Sequence, residues 1–239
     1  MKTIITLLLI ALGTIFSYAQ RYTLTEVGYL HNMSKLGEPE LNKENILGTP
    51  YIFDRWQKGE ILTQDKRRII VNKINYNTAK QKFYYKIKND YFELFPDQIR
   101  FIIVRSRHGS RIFIPSLPYP IDSKYKGYFE VFTLEPQKMY VAKWHKRSLE
   151  PANKSQSYAS DKSMEKLKYY DKSRIFVLLN GQYVKAPSSL KKLIKLLDLT
   201  KEEAKRLKNY IKQNNLHYKR PGDIQKIMDF YYSEIKKSK

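Results

Sequence analysis

The chain has 239 residues and a net charge of +22, from 45 Lys+Arg against 23 Asp+Glu, and it contains no cysteine. The lack of Cys excludes a disulfide scaffold, a cysteine-ligated zinc site and a thiol nucleophile. With 20 Tyr, 11 Phe and 2 Trp it does not read as a disordered chain, because buried rings offset the entropy lost on ordering.

The first twenty residues read MKTIITLLLIALGTIFSYAQ. Lys2 gives a short positive start, and Ile4 to Phe16 is an apolar run without a charge. Ser17 and Ala19 then place small residues where a signal peptidase requires them. The pattern predicts a signal peptide over 1–19, cut between Ala19 and Gln20. The apolar run is too short for an uncleaved anchor, since spanning takes about 20 residues, and no later stretch is apolar enough to cross a membrane as a helix. The expected location is therefore secreted, in the periplasm or at the cell surface. There the abundant polyanions are lipid phosphate, lipopolysaccharide and peptidoglycan carboxylates, and the basic excess would draw the protein to them, or to an envelope protein.

Residues 20–50 lack a regular pattern and read as an N-terminal arm. Over 51–186 the period becomes two, predicting an antiparallel β domain. Its segments are Arg68–Asn75, Gln81–Ile87, Gln98–Val104, Arg111–Ile114, Gly127–Leu134 and Lys138–His145. Asn75-Tyr-Asn77, Asn89-Asp90, Pro96-Asp97, His108-Gly-Ser110 and Glu135-Pro-Gln137 read as turns between them. Alternation puts Phe83, Tyr85 and Ile87 on an inner face, and Lys82, Tyr84 and Lys86 on the face toward water. The polar stretch from Glu150 to about Asp171 reads as a loop or crossing segment. Arg174–Leu179 and Gln182–Lys185 flank Asn180-Gly181, a pair suited to a type I′ hairpin turn.

After Pro187 the period becomes helical, and 187–239 reads as a helical element. Ser188 or Ser189 opens one helix, Thr200-Lys-Glu-Glu203 has the form of a capping box, and Pro221 starts a third. Leu190, Leu193, Ile194 and Leu197, then Ala204, Leu207 and Ile211, then Ile224, Ile227, Met228, Tyr231 and Ile235 form apolar stripes. The expected fold is α+β: an antiparallel sheet or meander of about eight to ten strands, followed by a bundle of three short helices.

Gly48-Thr-Pro-Tyr-Ile-Phe-Asp-Arg-Trp-Gln-Lys-Gly59, the Asn75-Tyr-Asn77 segment and the basic tail with Asp229-Phe-Tyr-Tyr232 resemble a group of uncharacterised secreted proteins of Bacteroidetes bacteria. The Tyr-Ala-Gln20 end of the leader is similar to theirs as well. The resemblance implies an envelope location and transfers no functional residue.

No motif for a cofactor, a metal or a nucleophile stands out. His31, His108, His145 and His217 do not have the spacing of a metal site, and no glycine-rich phosphate loop or nucleophile elbow occurs. Asp54 and Glu60 flank Trp56, the kind of carboxylate pair a glycosidase needs if folding brings the two together. The most suggestive feature is basic. Arg105, Arg107 and Arg111 surround a turn, and Lys143 and Arg147 crowd a strand end with Trp144. Arginine forks match phosphates and carboxylates, so these five are candidate anion-binding residues. The plain alternative is a charged edge that blocks strand-to-strand aggregation. The leading functional expectation is a non-enzymatic binding or structural protein of the envelope. A glycan- or peptidoglycan-acting enzyme with a dispersed site is the alternative. Nucleic acid is opposed by the leader.

Overall fold

The computed structural model describes residues 46–152 and 166–236. The signal peptide, the cut at Ala19–Gln20, most of the arm with His31, and the middle of the expected loop lie outside these residues.

The first strands are β1 (Ile46–Leu47), β2 (Gln57–Thr63), β3 (Arg68–Asn77), β4 (Lys82–Ile87), β5 (Asp90–Leu94), β6 (Ile99–Ser106) and β7 (Gly109–Ile114). They are followed by β8 (Phe129–Val131), β9 (Val141–Trp144), β10 (Arg147–Pro151), β11 (Leu167–Asp171), β12 (Arg174–Leu179) and β13 (Gln182–Lys185). Ten of these form one antiparallel sheet in the order β13-β12-β9-β8-β7-β6-β2-β3-β4-β5, and β1, β11 and β10 form a small second sheet. Helices α1 (Leu190–Leu196), α2 (Lys201–Gln213) and α3 (Pro221–Phe230) end the chain, and α3 runs on into a π-helical turn at Tyr231–Ile235. The fold is α+β, with the three helices on the stripes that their sequence marks. Among the described residues no helix is long and apolar enough to cross a membrane.

The large sheet is strongly curled. Phe83 on β4 and Phe113 on β7 are four strand steps apart, about 19 Å in a flat sheet at about 4.8 Å per step. Their ring centroids are 5.1 Å apart. Tyr76 stacks on Phe83 at 4.5 Å, and Tyr128 meets Phe83 edge-on at 4.9 Å. The inner face of β2 to β7 thus closes around an aromatic core, with Ile61, Ile74, Ile102 and Val104 filling the rest. Gly59 permits the curl where β2 and β3 shift register between Gln57 and Gly59. A Cβ there would lie 2.5 Å from Ile74 Cγ2.

Further along the sheet the helices cover the same side. Leu193, Leu207, Ile224, Ile227 and Met228 pack on Val141 and Val177 in one continuous core. Thr200 and Glu203 form the expected reciprocal cap of α2, and Ser189 caps α1. On the opposite side, Leu117, Tyr119, Ile121 and Tyr125 cover Phe129, Ala142 and Phe176. Asn180 (φ 47°) and Gly181 (φ 75°) both take the left-handed conformation that a type I′ turn needs.

Three expectations are corrected. Asn75-Tyr-Asn77 is strand rather than turn, because Tyr76 is fully buried in the aromatic core. Asn75 bonds the 50–53 segment that runs beside β3: its Nδ2 donates to Phe53 O, and its Oδ1 accepts from Phe53 N. The turn begins at Asn77, whose Oδ1 accepts from the backbone of Ala79 and Lys80. The expected loop over 150–171 carries β10 and β11 at its ends, paired antiparallel, with the end of the arm added as β1 in parallel. Their polar, half-exposed positions hid the alternation. Finally, Tyr84 is buried on the face expected to meet water, because Tyr51, Trp56 and Tyr91 build a second aromatic group on that side. Burial pushes the Tyr51 and Tyr84 hydroxyls up to about 12.

Candidate functional site

The β6–β7 hairpin turns on Arg107 and His108. Ser106 Oγ accepts from His108 N at 3.2 Å and donates to Gly109 O at 3.0 Å. A two-residue turn pairs Arg105 with Ser110 and Val104 with Arg111. Cross-strand partners share a face, so Arg105 and Arg111 point to opposite sides of the sheet. Arg105 reaches Glu60 on the outside at 3.4 Å, and Glu60 is also gripped by Arg68. Arg107 stays at the turn, exposed, with its Nε donating to His108 Nε2 at 2.9 Å.

Arg111 turns inward. Its Nε and one Nη donate to the two carboxylate oxygens of Glu130 at 2.6 and 2.8 Å. Its guanidinium carbon lies 5.2 Å from the Phe53 ring centroid and 5.4 Å from that of Phe113. Glu130 sits opposite Phe113 and Lys143 in the ladder, which also carries His145 to the same face. His145 Nε2 is 2.7 Å from Glu130 Oε2 and 3.0 Å from Arg111 Nη2. Glu130 is only 7% exposed and His145 6%. Burial pushes the Glu130 carboxyl up, but hydrogen bonds from His145 and Arg111 outweigh it and bring it down to about 2. Burial pushes the His145 imidazole below its ordinary value, against the pull of Glu130. A neutral imidazole beside an ionised carboxylate donates from Nε2. Arg111 Nη2 then packs beside that donor and makes no bond to it.

The other two candidates serve elsewhere. Arg147 Nη1 donates to the carbonyls of Thr49 and Tyr51, both at 2.5 Å, and fastens that segment to β10. Lys143 faces Glu130 across the ladder without a carboxylate ion pair among the described residues. The five basic residues are therefore not one patch. Arg107 and Arg111 remain together.

They meet at a cleft of about 290 Å³ between the hairpin turn and residues 52–57. Ile52 and Phe53 give it an apolar wall, and Asp54, Arg55 and Gln57 lie along the same segment. Ser106, Arg107, His108 and Arg111 line the other side. Arg111 is 26% exposed, and its Nη1 has no hydrogen-bond partner among the described residues. Glu130 holds the Nε and Nη2 edge of the guanidinium, and Arg111 lines the cleft. Arg55 and Arg107 likewise have no carboxylate partner among the described residues. Asp54 lines the cleft, while Glu60 is occupied by two arginines on the outer face. A larger groove of about 530 Å³ along Leu62, Phe101, Ile114 and Leu117 has Arg100 as its one charged lining residue. It lacks the convergent polar groups of a recognition site.

The sequence pointed to the hairpin and missed its partners. Glu130 was legible as the one acidic residue in Tyr128-Phe-Glu-Val131, since a lone charge in a buried strand needs a partner. Among the described residues no group of three His, Asp or Glu side chains is placed to hold a metal. Comparison with protein-family models, curated proteins and solved structures finds no match for this chain.

Proposed function

We propose that the protein is a secreted, non-enzymatic binding protein of the bacterial envelope, and that the cleft beside the β6–β7 turn holds an anionic ligand. The observation that carries this reading is Arg111. Its guanidinium is fixed by two bonds to a buried carboxylate and two flanking rings, its Nη1 is unspent among the described residues, and the side chain lines a cavity. A donor positioned in advance in this way binds without the cost of being ordered. The leader pattern supports secretion. The charge of +22 supports attraction to lipid phosphate, lipopolysaccharide and peptidoglycan, with recognition left to the cleft.

Two measurements test the proposal. Intact mass of the exported chain should begin at Gln20. Titration with inorganic phosphate and with soluble peptidoglycan fragments should give binding that Arg55→Gln with Arg107→Gln weakens. Lys191→Gln with Lys192→Gln removes the same charge from α1 and should leave binding in place. Equal loss in both variants would assign the attraction to net charge and refute the site.

A further inference from the structure

The charges around the cleft nearly cancel. Arg55, Arg107 and Arg111 are matched by Asp54 at the wall and Glu130 behind, which leaves a net charge near +1. A polyphosphate or a lipid A headgroup would bring several negative charges to a site that offers one, with Asp54 repelling the surplus. A single carboxylate fits the balance. Its two oxygens suit the two guanidinium groups that line one cavity.

Two more features narrow the ligand. Ile52 and Phe53 form an apolar wall beside the arginines, which calls for a compact apolar group next to the carboxylate. Asp54 follows Phe53 directly and gives an acceptor for an N–H donor on the ligand. A carboxylate, an N–H donor and an apolar side chain on neighbouring atoms are what an α-amino acid presents, either free or as the last residue of a peptide. The volume of about 290 Å³ is at the small end of ligand sites, which suits a compact unit of this kind.

Resting on the anion-cleft reading above, we propose that the cleft recognises an α-carboxylate-bearing amino-acid unit with an apolar side chain. Arg107 and Arg111 take the carboxylate, Asp54 takes the nitrogen, and Ile52 with Phe53 takes the side chain.

The test is calorimetric titration of the wild-type chain with phenylalanine, N-acetylphenylalanine, phenylalaninamide and inorganic phosphate. At least one of the two carboxylates should bind, and phenylalaninamide should be at least about tenfold weaker, the loss of a charge-assisted pair. Tighter binding of phenylalanine identifies a free amino acid as the source, and tighter binding of the N-acetyl form identifies a peptide C-terminus. Arg107→Gln should weaken the carboxylates about tenfold. Asp54→Asn should weaken phenylalanine more than N-acetylphenylalanine, because an ammonium depends more on the charge. Both variants alter exposed side chains and leave the Arg111–Glu130 pair intact. Amide binding equal to that of the carboxylates overturns the proposal. Phosphate binding that depends on Arg107, with no carboxylate binding, overturns it but leaves the anion cleft standing. No binding of any of the four overturns both.

Discussion

Replacing Glu130 by Gln removes the charge from a buried carboxylate and leaves the shape of the side chain. Glu130 is held down from an ordinary 4.5 to about 2 by His145 and Arg111. Each tenfold change in acidity corresponds to about 1.4 kcal/mol, so the ionised carboxylate contributes about 3 kcal/mol to folding. Losing one partner of a buried ion pair typically costs about 3–5 kcal/mol. Arg111 can turn part-way to the cleft, which places the expected loss at the lower end. The unfolded chain binds the Glu130 proton near the ordinary value and the folded chain only near 2. This stability is therefore full above about pH 4.5 and is lost as pH falls toward 2. His145, lowered by burial, adds a loss in the same direction that begins near pH 6.5. Urea unfolding of wild type and Glu130→Gln, followed by circular dichroism from neutral pH down to about 3, measures the difference. The gap should be about 3 kcal/mol at neutral pH and should shrink toward the acid end. Arg111→Met with Glu130→Leu removes both charges and should recover much of the loss. Parallel pH curves for wild type and Glu130→Gln would refute the assignment of a buried, ion-paired carboxylate.

Gly59→Ala should destabilise by about 1–3 kcal/mol, the usual cost of overpacking, because its Cβ would meet Ile74 Cγ2 at 2.5 Å. An unchanged melting temperature would mean that β2 and β3 do not approach so closely. Gly181→Val should also lower the melting temperature, since a β-branched residue is strained at the φ of 75° found there. Gly181→Asn, which tolerates that conformation, should cost far less, and equal losses for the two variants would argue against the type I′ turn.

The helices and the Asn180-Gly181 hairpin were legible because their signals are local: a cap, a 3.6-residue stripe, a pair of residues that accept positive φ. The curl of the sheet was not legible, because alternation says which face is inside and nothing about which distant strands share it. The basic hairpin shows where such reading ends. Three arginines around a turn look like one cluster until the length of the turn sets the register, and that register sends Arg105 and Arg111 to opposite faces. Asn75 misled for a related reason. Its side chain supplies the bonds of a missing strand neighbour, which looks in sequence like the polar residue of a turn. β10 and β11 carry charges on a small exposed sheet, so no apolar alternation marked them.

The fastening of the 49–53 segment has a consequence for the order of folding. Arg147 bonds Thr49 and Tyr51 across 98 and 96 residues of chain, and Gln81 bonds His145 across 64. Contacts this distant in sequence form only after long loops have closed, which makes them slow and late. One wall of the cleft depends on Asn75 and Arg147, and the guanidinium facing it depends on Glu130 and His145. A chain that has paired β3 with β4 and β6 with β7 would have much of its aromatic core and no cleft. Recognition is then among the last things this polypeptide acquires, and a fragment ending before β8 would have the hairpin arginines without the carboxylate and imidazole behind Arg111.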